Sequence, residues 1–184
     1  MGQIPNGVIA EPKLAKFIFS DTRFSWVWLI LRIYVGFEWF MAGWGKLGQD
    51  VWTGEKSGIA LKGFLTGALA KTTGEHPDVS GWYADLIRNI AIPHAALISH
   101  IVVYSEIAIG ICLVLGLFTG IAAFLGSTLN MNFLFSGAVS MNPILLLVQL
   151  FLILAWRTAG WVGLDRYLLP KLGTPWQPGS AFRK

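Results

Sequence analysis

Residues 107–156 read IAIGICLVLGLFTGIAAFLGSTLNMNFLFSGAVSMNPILLLVQLFLILAW, fifty positions without one Asp, Glu, Lys, Arg or His. As a single helix this run would reach about 75 Å at ~1.5 Å per residue. A bilayer core is about 30 Å thick, so the run turns back and crosses more than once. A chain with such a stretch is integral to a membrane. The few charges inside its apolar segments then become the main pointers to function, because burying them in lipid is costly.

Working outward from this run, four spans emerge at about residues 24–44, 96–117, 119–138 and 142–161. Each is close to the ~20 residues a crossing helix needs. Gly116 and Gly120 punctuate one turn, and Ser136-Gly137 with Asn142-Pro143 punctuate the next. These connections are short, so the last three spans are antiparallel neighbours. The expected fold is all-α, a four-transmembrane-helix bundle forming one membrane domain over residues 1–184. Residues 45–95 form a long outer connection, and structureless loops of that length are uncommon. Within it, Ile59, Leu61, Phe64, Leu65, Ala68 and Leu69 approximate a helical apolar stripe, and Trp82, Leu86 and Ile90 a shorter one. Two short amphipathic helices are expected there, either capping a pocket or covering the helix ends.

Composition supports a membrane class. Hydrophobic residues make up 54% of the chain and charged residues 13%. Nine Trp and twelve Phe suit aromatic belts at the bilayer interfaces. The net charge of +4 is scattered near helix ends, a pattern of membrane orientation and not of nucleic-acid binding. A single cysteine, Cys112, rules out an intrachain disulfide relay and reads as a small buried hydrophobe. Residues 1–20 lack the apolar core of a cleavable signal, so the first span is expected to stay. Lys13, Lys16 and Arg23 precede it, and Arg157, Arg166, Lys171, Arg183 and Lys184 lie at or beyond the end of the last. The outer connection balances five basic against five acidic residues. Both tails, 1–23 and 162–184, are therefore expected on the cytoplasmic side.

Inside the spans stand Arg32, Glu38 and Glu106, with His100 near the outer end of the second. A charge at the bilayer centre costs roughly 2.5–3.5 kcal/mol on insertion scales, so partners are expected. Arg32 lies about nine residues up from the inner end, roughly 13 Å, and Glu106 about ten below the outer end, roughly 15 Å. Counted this way they share one level near the midplane, with Asn130 and Gln149 in the same middle third. The expectation is one polar centre fed by four helices. Arg32, Gly36, Gly43 and Lys46 form a stripe on span one, with Lys46 at the outer mouth. The two glycines admit either a neighbouring backbone or a flat ligand. Glu38 faces another side at the depth of His100, and either pairs with it or exchanges protons alone.

Each feature also has a plainer reading. Arg32 and Glu106 can simply lock two helices, and Asn130 and Gln149 can be interhelical hydrogen bonds only. Trp39, Trp44, Trp52 and Trp82 are commonly belt anchors. His76 and His94 read as surface or interfacial residues. No zinc, iron–sulfur, flavin or nucleotide signature is present, so no metal site is expected.

The residues resemble the DoxX/DoxD family of small prokaryotic membrane proteins. The likeness rests on Arg32, Gly36 and Phe40-Met41-Ala42-Gly43-Trp44-Gly45-Lys46-Leu47, then Pro93, Glu106 and Gly110. It continues through Leu115-Gly116-Leu117-Phe118-Thr119 to Gly160 and Leu164-Asp165. The Gly-Trp-Gly-Lys-Leu stretch and the long outer connection resemble the DoxD branch in particular. That resemblance implies a plasma-membrane subunit of thiosulfate:quinone oxidoreductase, which joins two thiosulfates into tetrathionate and passes two electrons to a quinone. A second subunit or a homo-oligomer is implied as partner, with quinone as a diffusible substrate. On this reading Arg32, Glu106 and Glu38 are the candidate catalytic residues. Lys46, Arg32, Trp44, Asn130, Gln149 and His100 would hold a small anion such as thiosulfate, and Gly36, Gly43 and Trp39 the quinone. The alternative is a membrane scaffold that recruits soluble redox enzymes.

Overall fold

The computed structural model describes residues 11–174 and 177–182. The tail residues before Glu11 and the basic pair Arg183 and Lys184 lie outside the described residues. The fold is all-α apart from a pair of two-residue strands, β1 (Gly173–Thr174) and β2 (Gln177–Pro178). Four helices build the body: α2 (Ser25–Trp44), α5 (Ala95–Leu115), α6 (Thr119–Phe135) and α7 (Asn142–Leu154). Their main pairings are α2 on α5 and α6 on α7. Among the described residues two helices are long and apolar enough to cross a membrane, residues Thr22–Trp44 and Ala95–Leu115. The other two expected spans are shorter than the sequence suggests. α6 stops at Phe135, where Ser136 and Gly137 turn the chain. α7 stops at Leu154, and Ala155 interrupts the helix before the four-residue α8 (Trp156–Ala159).

α2 and α5 approach backbone to backbone, and glycine makes this possible. A Cβ on Gly36 would sit 2.9 Å from the Val114 nitrogen, and one on Gly43 2.9 Å from the Val103 carbonyl oxygen. From the other side, a Cβ on Gly110 would press 2.7 Å from the Phe40 Cα. These contacts fix the register: Gly36 stands opposite Gly110 to Val114, and Gly43 opposite Val103 to Ile107. The helices are consequently not flush. α2 extends about eight residues beyond α5 at one end, roughly 12 Å, and α5 rises above α2 at the other.

The end of the bundle that carries the 45–95 connection is labelled outer and the opposite end inner, and at the outer end the overhang of α5 is wrapped by this connection. Its first helix, α3 (Ile59–Leu69), falls on the expected stripe and buries Leu61, Leu65 and Ala68. The second, α4 (Gly81–Leu86), runs on into a wider π turn over Ile87–Ala91. Here the face differs from expectation. Tyr83, Ala84, Ile87 and Ala91 are buried, while Trp82, Leu86 and Ile90 point outward. Trp82 and Leu86 already point outward in α4, ahead of the π turn, so the apolar stripe is real but is the exposed face, and the side packed on the cap is the one carrying Tyr83, Ala84 and Ile87. Buried residues of α3, α4 and the start of α5 form their own apolar core. It is pinned to the bundle where the Tyr83 hydroxyl donates to the Asn132 carbonyl at 3.0 Å and Lys71 Nζ to the Gly137 carbonyl at 2.6 Å.

The opposite end is closed by elements that the sequence reading treated as tails. α1 (Lys13–Ser20) packs against α8. The Trp28 indole donates to the Ile18 carbonyl at 2.8 Å and the Thr158 hydroxyl to the Phe19 carbonyl at 3.0 Å. α9 (Asp165–Leu172) begins with a buried carboxylate. Asp165 accepts from the backbone N–H of Phe118 at 2.6 Å and of Thr119 at 2.8 Å, capping α6 from far along the chain. Gly116, at φ +65°, makes the turn between α5 and α6, and its carbonyl accepts the Asp165 N–H.

Candidate functional site

The outer half of the bundle contains a cleft of about 350 Å³ between α2, α3, α5, α6 and α7. Its walls are mostly apolar, with Trp39, Trp52, Leu61, Phe64, Phe133 and Leu145 prominent. The polar lining comes chiefly from Lys46, Glu106 and Glu38. Size and composition match an ordinary small-molecule site: concave, apolar and carrying a few directed polar groups.

Lys46 and Glu106 form its charged wall. Lys46 Nζ donates to both carboxylate oxygens of Glu106, at 2.5 and 2.7 Å. Glu106 is 1% exposed, whereas Lys46 reaches the mouth of the cleft. The turn that follows α2 places Lys46, and the ammonium also lies 5.1 Å from the centre of the Trp52 ring. Trp52 is held in turn because Ser99 on α5 donates to its carbonyl at 2.7 Å. Glu38 stands on the same cleft half-buried, and its carboxylate has no hydrogen-bond or ion-pair partner among the described residues.

A buried amide layer sits behind Trp39. Gln149 lies 2.6 Å from the Trp39 indole nitrogen and 2.6 Å from the Asn130 amide. With its oxygen toward the indole N–H, the Gln149 nitrogen reaches the Leu145 carbonyl at 3.2 Å and donates to Asn130 once that amide is turned to present its otherwise unpartnered oxygen. Gly126 makes room for this group, since a Cβ there would collide with the Gln149 amide and lie 3.1 Å from the Trp39 nitrogen. Asn130 and Gln149 therefore position Trp39 and do not line the cleft themselves.

The structure does not bring Arg32 and Glu106 together. In the observed register, Arg32 stands opposite Gly116 and Glu106 opposite the last turn of α2, about ten residues or roughly 15 Å apart. Depth counted from span ends assumes flush helices, and the stagger of α2 against α5 breaks that assumption. Arg32 instead belongs to the inner end. Its Nη2 donates to the Val162 carbonyl at 2.8 Å, and its guanidinium lies against Gly116 and Gly163.

Other expected site residues also part company. The space over Gly36 and Gly43 is filled by α5, so these glycines seat a helix and leave no room there for a flat ring. Trp44 is exposed and stacks on Phe40, with ring centres 5.6 Å apart. His100 turns back to the Ala96 carbonyl at 2.8 Å and beside Tyr104, away from Glu38 and the cleft. Trp52, Phe64 and Phe133 line the cleft with no sequence motif to mark them, and the expected cap by the helices of the connection points only to Phe64. Among the described residues no three of His, Cys, Asp and Glu gather as metal ligands.

The DoxX family profile matches residues 27–137, more than half of the chain. The protein belongs to the DoxX family. The matched stretch contains α2, the outer cap, α5 and α6, and so most of the cleft lining. Asp165 and Arg166 lie beyond it. No curated protein and no solved structure matches the chain. As a DoxX protein with two helices fit to span a bilayer, it is a membrane protein whose outer surface meets lipid.

Proposed function

We propose that this DoxX protein is the quinone-handling membrane subunit of an oxidoreductase, and that the outer cleft is where the quinone head is reduced. The observation that carries this reading is the coincidence of an aromatic-walled cleft with an ion pair and an unpaired carboxylate on one wall. A quinone taking up two electrons needs two protons. Glu38 and Glu106 stand at the cleft surface as groups able to pass them, and Lys46 is placed to stabilise charge developing on a quinone oxygen. Trp39 and Trp52 offer flat faces for the ring.

The resemblance to the DoxD branch implies thiosulfate as the electron source: two thiosulfates give one tetrathionate and two electrons, which with two protons reduce one quinone. The charge of the cleft argues against thiosulfate lying in the same place. Lys46 is already neutralised by Glu106, and Glu38 adds a further carboxylate, so the lining offers a dianion no surplus of positive charge. In this reading the donor is handled by a second subunit or a second copy of the chain, and this chain supplies the quinone side.

The same proposal places all four body helices across a plasma membrane of prokaryotic type. The 17 residues of α6 stand at the short limit for a crossing helix, and α7 is continued past Ala155 by α8. Ile121, Phe124, Leu125, Ile144, Leu147 and Leu154 point outward along α6 and α7, as lipid contact requires. The surplus of Lys and Arg at the α1 and α9 end supports a cytoplasmic position for that end, with the cleft then opening in the outer half of the membrane.

The test is a titration of the purified protein in lipid nanodiscs with a short-chain ubiquinone, reading quenching of tryptophan fluorescence. Saturable quenching that is lost in Trp39→Phe/Trp52→Phe and weakened in Lys46→Ala supports the assignment. Quenching that is non-saturable, or equal in all variants, excludes a quinone site in the cleft. Partner capture unaffected by Glu106→Gln, without any saturable quenching, would favour the scaffold reading instead.

A further inference from the structure

The inner end holds a second concavity unrelated to the quinone proposal. Trp156, Arg157, Trp161, Asp165, Arg166 and Leu169 line a cleft of about 500 Å³. An adjoining slot of about 380 Å³ shares Trp156, Asp165 and Leu169 and continues over Phe118, Ile121 and Ile153. The first carries the two guanidinium groups at its rim, and the second is mostly apolar. We propose that this composite groove binds an anionic phospholipid, with the phosphate between Arg157 and Arg166 and an acyl chain along the slot of Phe118, Ile121 and Ile153.

Three observations bear on the choice of occupant. First, both guanidinium groups are exposed and without an ion-pair partner among the described residues. Each lies over a tryptophan, Arg157 at 5.3 Å from the Trp156 ring centre and Arg166 at 5.2 Å from that of Trp161. Stacking of this kind orients the planar fork and leaves its N–H groups free for a phosphate. Second, the one acid in the lining does not oppose an anion freely. Asp165 is buried and its two oxygens are taken by the Phe118 and Thr119 N–H groups. Two cations therefore face one internally satisfied carboxylate. Third, the arrangement of charge above apolar surface is continuous, as a lipid requires and a free phosphate does not. Basic pockets between membrane helices recognise anionic headgroups by this combination.

The test is native mass spectrometry of the full chain from mixed phosphatidylcholine and phosphatidylglycerol vesicles, followed by competition with inorganic phosphate. Wild type is expected to retain phosphatidylglycerol selectively. Retention should fall about 30-fold in Arg157→Gln/Arg166→Gln, the effect of two interfacial basic side chains. Lys171→Gln, on the same end but outside both clefts, should leave it unchanged. Ile121→Trp alters the exposed wall of the slot without touching either charge, and should lower retention even if the double variant folds poorly. Equal retention in wild type, the double variant and Ile121→Trp would overturn the proposal. So would displacement of the lipid by inorganic phosphate at equal concentration, which would mark a site for the free anion.

Discussion

The outer cleft and the inner knot each bury a charged residue of α2 or α5, yet they use it in opposite ways. Outside, Glu106 turns toward a cavity and meets the single flexible ammonium of Lys46. Inside, Arg32 and Asp165 turn toward backbone: Arg32 donates to the Val162 carbonyl, and Asp165 accepts from two N–H groups and lies close enough to act as its countercharge. Both Glu106 and Arg32 are 1% exposed. Burial of charge inside a membrane helix thus does not by itself mark a functional site. What separates the two ends is whether the charge faces space or completes a turn.

The comparison breaks most readily at the inner end. Asp165→Ala removes the cap of α6, orphans two N–H groups, that of Thr119 buried, and strips Arg32 of its countercharge. Loss of one member of such a buried set costs about 3–5 kcal/mol. The expected outcome is a large fall in the thermal midpoint in detergent, while the molecules that remain folded still show quinone quenching. A variant of unchanged stability would mean that the cap and the knot are not what hold α6, α5 and α9 together.

At the outer end the weight falls on turnover and less on folding. Glu106→Gln keeps the shape of the cleft and can still hydrogen-bond Lys46, whose own exposure lets it find water. On the proposed function, quinone reduction by the assembled complex should drop about 10²-fold or more, the range for loss of a proton-transferring group. The thermal midpoint should move far less than in Asp165→Ala. If instead stability collapses and turnover per folded molecule is retained, the pair is a helix lock and the outer end resembles the inner one.

A double-mutant cycle sharpens the separation of the two ends. Lys46→Ala and Glu106→Ala should show a coupling of about 0.5–3 kcal/mol, because the side chains touch. Arg32→Ala and Glu106→Ala should add within about 0.5 kcal/mol, as residues in separate surroundings do. Strong coupling between Arg32 and Glu106 in urea unfolding would restore the shared polar centre that the register denies.

How far the sequence carried can be judged from these same residues. The uncharged run of residues 107–156 declared a membrane helix protein, and the breaks at Gly116 and Ser136-Gly137 marked real turns. The stripe of α3 was legible because its period is regular. The partner of Glu106 was not, because depth was counted from span ends and the stagger of α2 on α5 is invisible to that count. The signal was present in another form. Gly36, Gly43 and Gly110 are the positions where a backbone can come close, and aligning them across an antiparallel pair sets Glu106 beside the last turn of α2 and Arg32 beside Gly116. The role of Asp165 was beyond reach for a different reason. A cap supplied from a helix more than forty residues away leaves no local spacing to recognise.

The smallest expected effect concerns the surface at the inner end, where charge is solvated and its energy is weak. Asp21 accepts from the backbone and side chain of Arg23, which hold its carboxyl down at about 2 against an ordinary 3.8. A depressed carboxyl contributes stability that is complete above its unfolded value and is lost as pH falls toward the folded one, so the window is about pH 4 to 2. The pair lies at the surface with Arg23 78% exposed, and solvent and salt screen most of the interaction. Wild type should therefore show only a slight extra loss of thermal midpoint across that window relative to Asp21→Asn, shrinking further as salt is raised. A large acid-side difference between the two proteins would mean that the turn joining α1 to α2 holds the inner end as firmly as Asp165 does. The contrast drawn between buried and solvated charge would then fail at the inner surface.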